Sequence, residues 1–502
     1  MTFPRASGVL LHPTSLPGPH GSGDLGPAAC HFVDWLVTAK QRLWQILPLG
    51  GIGPGNSPYM SSSAFAGNLL LIDLAELQQR GWLNDTDLQP NAGFSQNRVR
   101  FDIVVPWRMA RLQQAAARFA QTASAAEQID FANFCLHHAS WLEDYALFMT
   151  LAKHHSGRDW CDWPAPLASR DAQALQQAGS AHAERIAFWK FGQWCFFRQW
   201  KKLRAYANEH GVKIVGDAPI FIACQSAEVW ARQELFELDA DGRPTVIAGV
   251  PPDFFSATGQ RWGNPLYRWS AHAAEGYAWW IERMRRMFEL VDIVRIDHFR
   301  GFAGYWEIPA SEPNAIQGRW LPGPGAALFD AIKVALGELP IIAEDLGVIT
   351  PDVDALRHEF SLPGMCILQF AFGEGGDNTN AYLPHNFDTN TVVYTGTHDN
   401  NTTQGWWLDA APALRQQVLD YLGLSADNDS ADIHWRLIRA ACASVADTAI
   451  HPLQDVLGLG GEHRMNRPGT GEGCWEWRFG WEQVEPAHAE RLAHLCSLYR
   501  RE

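Results

Sequence analysis

Eight short apolar segments, each bounded by turn-forming residues, constrain the fold of this chain more than any other feature of its sequence. They span residues 8–11, 44–49, 213–217, 291–297, 340–344, 365–370, 391–395 and 447–450. Continuous apolar runs of this length are typical of strands that are buried on both faces of a parallel sheet. Amphipathic helical sequence, for example at 28–40 and 276–290, separates some of them. The pattern therefore predicts an α/β fold, a (βα)8 TIM barrel.

The spacing of these segments predicts large insertions. A bare barrel needs roughly 250 residues, so about half of the 502 residues must lie outside it. The two widest gaps are residues 50–212 and 218–290. The first gap contains amphipathic helical sequence, which predicts mainly helical insertions packed over the catalytic face. The chain has no internal repeat, low-complexity tract or Gly/Ser linker, so we expect residues 1–502 to form a single catalytic domain.

Composition excludes several classes of protein. The chain is 47% apolar and 19% charged, as in soluble globular proteins. Its formal net charge of −15 and the lack of a basic stripe argue against a nucleic-acid partner. The first residues lack a long apolar region, and no apolar stretch of about 20 residues occurs, so we expect no secretion signal and no membrane partner. Nine cysteines without CxxC spacing indicate reduced thiols and a cytoplasmic location.

Three of the predicted strands end in an acidic residue. The runs IVRID, IIAE and VVYTGTHD bring the chain to Asp297, Glu344 and Asp399. Because all strands of a parallel barrel open on one face, carboxylates at these ends converge on one pocket. Arg295 lies two residues before Asp297, on the same face of the strand, where its charge would keep Asp297 ionised. Such a pocket is suited to glycosyl transfer or to metal binding.

The surrounding motifs add a resemblance to a known family. The segments RIDHFRG, AEDLG and TGTHDNNT resemble signature regions of the 4-alpha-glucanotransferases, also called amylomaltases or disproportionating enzymes. The resemblance continues, in order along the chain, through HPTSLPGPHGSGDLG, GNSPYMSSSAFAGN, VGDAPIFI, GVPPDFFSATGQRWGNPLYRW and MNRPGT. It therefore covers nearly the whole sequence, and the set of motifs is more specific than any one of them.

The resemblance implies a reaction and a set of site residues. It implies retaining transfer of a segment of an alpha-1,4-glucan to the 4-hydroxyl of an acceptor glucan or glucose, through a covalent glycosyl-aspartate. Asp297 would be the nucleophile, Glu344 the general acid and then base, and Asp399 the residue that holds the ring hydroxyls in the transition state. No metal and no organic cofactor is implied. The expected substrate-binding side chains are Tyr59, Asp217, Gln260, Trp262, Arg295, His298, His398 and Asn466.

The segment at residues 249–264 is rich in glycine, proline and polar residues, yet it carries Phe254, Phe255 and Trp262. A loop of this kind is either docked on the surface or a mobile lid. The resemblance implies that it covers the bound glucan, with Gln260 and Trp262 in contact with the sugar.

Three alternatives are weighed against this interpretation. Asp217, Asp297, Glu344 and Asp399 could hold a divalent cation, although no HExxH or other ligand spacing is present. A related hydrolase would use the same three acids and let water take the intermediate. A non-catalytic glucan-binding protein would be expected to have lost at least one of the acids, and this chain has all three.

Overall fold

The fold is a nearly closed parallel barrel, which confirms the (βα)8 prediction. The structure is a computed structural model that describes residues 3–252, 256–373, 378–425 and 432–502. Its strands, numbered along the chain, are β1 (Ala6–Leu10), β2 (Leu43–Gln45), β3 (Lys213–Pro219), β4 (Val246–Val250), β5 (Gln260–Pro265), β6 (Ile293–Asp297), β7 (Gly304–Pro309), β8 (Arg319–Pro322), β9 (Ile341–Ala343), β10 (Gly364–Ile367), β11 (Thr391–Tyr394) and β12 (Thr448–Pro452). The barrel order is β10-β11-β12-β1-β2-β3-β6-β9. Each of the eight predicted segments overlaps one barrel strand.

The seam between β9 and β10 is joined by individual hydrogen bonds. The Ala343 N–H donates to the Pro363 carbonyl at 2.9 Å. The Met365 N–H donates to Asp345 Oδ1 at 2.7 Å, so a carboxylate replaces the backbone acceptor of a strand. A Cβ on Gly364 would lie 2.3 Å from the other oxygen of Asp345, and glycine is therefore required for this close approach.

Helices follow most barrel strands and fill the first insertion. Several begin at sequence signals that favour a helix start, such as Pro27 in the first helical position, or Ser124 and Glu127 in a capping box. The helices span Pro27–Thr38, Leu74–Gln79, Phe101–Thr122, Ala125–His137, Ala139–His154, Ala165–Ala168, Ala172–Ala181, Ala183–Glu209, Ala227–Ala231, Trp269–Ala274, Ala278–Leu290, Ala326–Leu336, Pro351–Glu359, Thr403–Asp409, Pro412–Leu422, Ile433–Ala443, Leu453–Val456 and Pro486–Tyr499.

A second, four-stranded antiparallel sheet was not predicted. Its order is β5-β4-β7-β8, so strands from residues 218–290 pair with strands that follow β6. The segment predicted as a loop or lid is part of it, because Gly249 pairs with Arg261 and Val250 with Gln260. These short strands contain Gly, Pro and polar residues without a period-2 apolar pattern, which hides them in the sequence. Phe254 and Phe255 lie outside the described residues.

One large apolar cluster joins the barrel to the helical insertion. Its members include Trp44 on β2, Trp82 in the first insertion and Trp200 in the helix Ala183–Glu209. Contacts of this kind fix the insertion on the barrel by burial of apolar surface. Over the described ranges, no helix has both the length and the apolar character needed to cross a membrane.

Candidate active site

The three acids predicted from the sequence lie at carboxyl ends of barrel strands. Asp297 is the last residue of β6, Glu344 directly follows β9, and Asp399 lies in the loop after β11. Backbone bonds hold two of these ends together: the Glu344 N–H donates to the Ile296 carbonyl, and the Phe299 N–H donates to the Glu344 carbonyl, both at 3.0 Å. The barrel geometry therefore brings Asp297 and Glu344 next to each other.

A buried ion pair lies beneath Asp297. Asp217 on β3 and Arg295 on β6 are register partners. Arg295 Nη1 donates to both carboxylate oxygens of Asp217 at 2.8 Å and to Asp297 Oδ1 at 3.1 Å. Burial acts to lower the pKa of Arg295, but Asp217 and Asp297 raise it well above its ordinary value, so the guanidinium stays charged. The contact with Arg295 compensates the cost of burying the Asp217 charge, and the half-buried Asp297 shares the same guanidinium.

This ion pair also changes two expectations from the sequence. The side chain of Asp217 is 0% exposed and that of Arg295 is 4% exposed. Neither side chain is open to a bound sugar, so their burial favours a positioning role instead of the direct glucan contact that was expected. The guanidinium also lies between Asp217 and Asp297, where a divalent cation would have to bind. The arrangement therefore favours glycosyl transfer over the metal alternative.

Asp297 has a raised pKa. Burial is the main cause, and the charges of Asp217 and Asp399 add to it, while Arg295 opposes them; the result is a pKa of about 6. Asp297 is therefore ionised above about this pH, although its environment is far less polar than water.

Glu344 lies deeper and has a higher pKa. Its side chain accepts one backbone N–H on each oxygen, from His298 to Oε2 at 2.6 Å and from Leu346 to Oε1 at 2.9 Å. His298 adopts a φ of 56°, which is uncommon for a residue other than glycine. Burial, followed by the charge of Asp297, raises the pKa of Glu344 to about 7. The two neighbouring acids thus have different protonation equilibria, as an acid–nucleophile pair requires.

Asp399 is more exposed to solvent than Asp297, and hydrogen bonds from Arg464 and Asn466 hold it in place. Asn466 Nδ2 donates to Asp399 Oδ1 at 2.6 Å, and Arg464 Nη2 donates to the Asp399 carbonyl at 2.8 Å. The Asn466 N–H donates to the His398 carbonyl at 3.1 Å. The Asp399 side chain is 45% exposed, so one carboxylate edge is accessible to a ligand.

An aromatic wall connects Asp217 to the loop that carries Asp399. Tyr59 Oη donates to Asp217 Oδ2 at 2.7 Å and lies 2.9 Å from His398 Nε2. The Tyr59 and His398 rings are nearly parallel with centroids 5.3 Å apart, and Trp475 packs against both. Burial, and then the charge of Asp217, raise the pKa of Tyr59 well above its ordinary value, so its hydroxyl remains a donor.

A second aromatic group lies beside Glu344. The Trp262 and His298 rings are perpendicular with centroids 4.8 Å apart, and Trp262 Nε1 donates to Gln260 Oε1 at 3.0 Å. Burial, followed by the charge of Arg300, lowers the pKa of His298 to about 3, so the ring is neutral. His298 Nε2 is buried and has no hydrogen-bond partner within the described part of the chain. It is therefore a buried polar atom that the described residues leave without a partner.

The structure thus brings all eleven predicted residues into one connected region, and it adds three that the sequence did not indicate. Arg464 and Trp475 contact the group around Asp399 and His398. Met365 Sδ accepts from Arg295 Nε at 3.3 Å. No local pattern distinguishes these three. Only the position of Arg464 next to the MNRPGT motif could have directed attention to it.

The chain is similar to known proteins over nearly its whole length. Residues 11–483 match the model of a protein family described as 4-alpha-glucanotransferase. The chain is 51% identical over 506 residues to a 4-alpha-glucanotransferase of Thermus thermophilus, with 100% of each sequence covered. It is 48% identical over 500 residues to one of Synechocystis sp., covering 99% of this chain and 98% of that one. Among solved structures, amylomaltase from Streptococcus agalactiae in complex with acarbose matches with a TM-score of 0.95 and 37% identity over 99% of both chains.

Proposed function

Because this chain belongs to the 4-alpha-glucanotransferase family, we propose that Asp297, Glu344 and Asp399 catalyse a retaining transfer between alpha-1,4-glucans. The activity predicted from the motifs, 4-alpha-glucan transfer by a hexosyl transferase, is confirmed by this membership. The roles of individual residues are our proposal. One observation carries it: two adjacent carboxyl groups differ in their environment, the half-buried Asp297 bonded to a guanidinium and the buried Glu344 bonded to backbone N–H groups.

In the first half of the reaction, Asp297 attacks the anomeric carbon of the donor glucan. Glu344 donates its proton to the glycosidic oxygen, so the departing chain leaves with a free 4-hydroxyl. An ester bond joins the sugar to Asp297. Arg295 supports this step because it stabilises the ionised form of Asp297.

In the second half, Glu344 acts as a base. It removes the proton from the 4-hydroxyl of an acceptor, which is a second glucan or glucose, and this oxygen attacks the anomeric carbon. The ester bond to Asp297 breaks and a new alpha-1,4 bond forms. Two successive inversions retain the configuration, and retention requires the two carboxyl groups to lie about 5 to 5.5 Å apart.

The remaining residues bind the sugar at the reaction centre. Asp399, oriented by Asn466, accepts hydrogen bonds from ring hydroxyls, and these bonds strengthen as the ring distorts. His298 supplies a further polar contact, and Tyr59 and Trp262 offer aromatic surface to the C–H faces of glucose. His398, whose side chain is 4% exposed, orients Tyr59 beside the sugar. This part of the proposal rests on the open carboxylate edge of Asp399 and the unpartnered nitrogen of His298.

Incubation with maltotriose distinguishes a transferase from a hydrolase and from a non-catalytic glucan-binding protein. Incubation without added metal should give glucose together with maltodextrins longer than maltotriose, measured by chromatography of the products. Only shorter products would indicate a hydrolase that uses the same acids. An unchanged substrate would favour a glucan-binding protein and contradict the proposed function.

The pH dependence of transfer should follow the two raised pKa values. Transfer needs Asp297 ionised, above its pKa of about 6, and Glu344 protonated, below its pKa of about 7. The kcat/KM for maltotriose should therefore fall on the acid side as Asp297 gains a proton and on the alkaline side as Glu344 loses one. The profile reports apparent pKa values of the coupled pair. A rate that keeps rising above pH 8 would contradict this assignment.

We make two further proposals, one on the domain organisation and one on the cellular location. We propose one catalytic domain over residues 1–502 with insertions at about 50–212 and 218–290, supported by the continuous apolar cluster that joins barrel and insertion. We also propose a cytoplasmic location. All nine cysteines are free, which suits a reducing compartment.

A further inference from the structure

Trp320 is unusual among the aromatic residues of this chain. The sequence contains 23 Trp, 26 Phe and 10 Tyr residues. Among those that the structure describes, Trp320 is the only one that is exposed, at 42% of its surface. All the others are buried or half-buried, as expected for rings that fill a core. The exposure of Trp320 therefore requires a separate explanation.

The Trp320 ring is held firmly in spite of its exposure. The Arg300 guanidinium carbon lies 3.9 Å from the ring centroid, in a cation–π contact that covers one face. Trp306, its register partner on β7, packs against it at 5.3 Å and 64°. Trp306 is itself fixed, because its Nε1 donates to the Ala315 carbonyl at 3.0 Å. Trp320 thus presents indole surface to solvent from a rigid support, and little conformational entropy is lost when a ligand stacks on it.

Contacts of Arg300 link Trp320 to the turns after Asp297 and Glu344. Arg300, which supports Trp320, lies three residues after Asp297 in the chain, and its Nη1 donates to the Val348 carbonyl. Val348 lies four residues after Glu344 and is 63% exposed. Trp320 is therefore linked through Arg300 to the turns that follow the nucleophile and the acid.

We propose that Trp320 is a stacking platform for a glucose unit of an alpha-1,4-glucan that extends beyond the reaction centre. The inference rests on the proposed function and adds a binding position for long substrates. Glucose presents an apolar C–H face that stacks on indole, and a neutral polymer needs no charge at the platform. The nearby ionic groups suit this, because Arg319 and Glu307 pair with each other at 2.7 Å and the Arg300 guanidinium lies against one face of the ring and the Val348 carbonyl. Because Arg300 joins Trp320 to the turn after Asp297, a glucan that extends from the catalytic face is favoured over other occupants.

The experiment compares a short and a long donor. Initial transfer rates are measured with maltotriose and with amylose for the wild type, Trp320→Ala, Trp320→Phe and the control Val334→Ala, which changes an 89% exposed side chain elsewhere. We expect Trp320→Ala to raise the KM for amylose roughly threefold to tenfold. We expect kcat for amylose, and both constants for maltotriose, to stay within about twofold of the wild type. Trp320→Phe should fall between Trp320→Ala and the wild type, and Val334→Ala should match the wild type.

Three results would contradict the proposal that a glucose unit stacks on Trp320. An equal loss with maltotriose and amylose would mean that Trp320 acts through the support of Arg300 and the Glu344 turn. An unchanged KM for amylose would mean that no glucan stacks there. A change of oligomeric state in light scattering, without a change in KM, would assign the exposed surface to a second copy of the chain. Failure of the proposed function is distinct, because the wild type would then not convert maltotriose at all.

Discussion

Replacing Asp297 by asparagine is expected to reduce the rate of glucan transfer by on the order of 10⁴-fold or more. Asparagine has the same shape and keeps an oxygen for the bond from Arg295, which is 3.1 Å in the wild type. It carries no negative charge and does not form the ester with the donor sugar. Glucose release from maltotriose, measured as an initial rate, tests this expectation.

The same substitution should leave the protein at least as stable as the wild type at neutral pH. The pKa of Asp297 is raised from its ordinary value to about 6. The native protein therefore binds this proton more tightly than the unfolded chain, and stability falls as the pH rises through this range. Asparagine at this position does not titrate, so the variant does not lose stability in this way as the pH rises. Asp330→Asn, on an exposed position of the helix Ala326–Leu336, is the matched control. A variant within tenfold of the wild-type rate would rule out Asp297 as the nucleophile.

Replacing Glu344 by glutamine is expected to reduce transfer from maltotriose by roughly 10²- to 10⁴-fold, the range for loss of a general acid–base group. Glutamine neither donates a proton to the glycosidic oxygen nor removes one from the acceptor. It also accepts only one of the two N–H bonds that His298 and Leu346 now donate, so a moderate loss of stability is expected. The initial rate and the thermal midpoint are both measured, with the exposed Glu338→Gln as control.

A donor whose leaving group needs no protonation distinguishes the two acids. With an alpha-maltosyl fluoride, Glu344→Gln should still form the glycosyl-enzyme, because fluoride departs without an acid. The ester should then accumulate, since the base for the second half is absent, and intact-protein mass spectrometry would detect it. Asp297→Asn should not react with this donor. Accumulation in neither variant, or a reaction in both, would contradict the assigned roles.

The site also shows a conflict between stability and function. Asp297 and Glu344 both have pKa values raised mainly by burial, and His298 holds a left-handed backbone conformation between them. Each of these features costs stability in the folded chain. The cost is consistent with a site that needs one acid protonated and its neighbour ionised at nearly the same pH.

The second, four-stranded sheet was not predicted from the sequence. The strands β4 and β7 pair although residues 251–303 separate them in the chain. Neither strand has an alternating apolar pattern. Their pairing depends on side chains of the neighbouring strands, and these contacts are not visible in the local sequence. The segment at residues 249–264, which contains β5 and the end of β4, was therefore predicted as a loop or lid. The contact of Trp262 with the sugar, which the family resemblance implies, stays a prediction.

The sequence alone determined the eight barrel strands, the three acids at their ends and the family. A strand buried on both faces leaves a continuous apolar run, and a charge that ends such a run is visible locally. Only the tertiary structure decided that Arg295 bridges Asp217 and Asp297, that Arg464 and Trp475 complete the site, and that Trp320 remains exposed. These contacts join residues far apart in the chain. Their burial and charge, and hence each pKa, exist only when the barrel has closed around them.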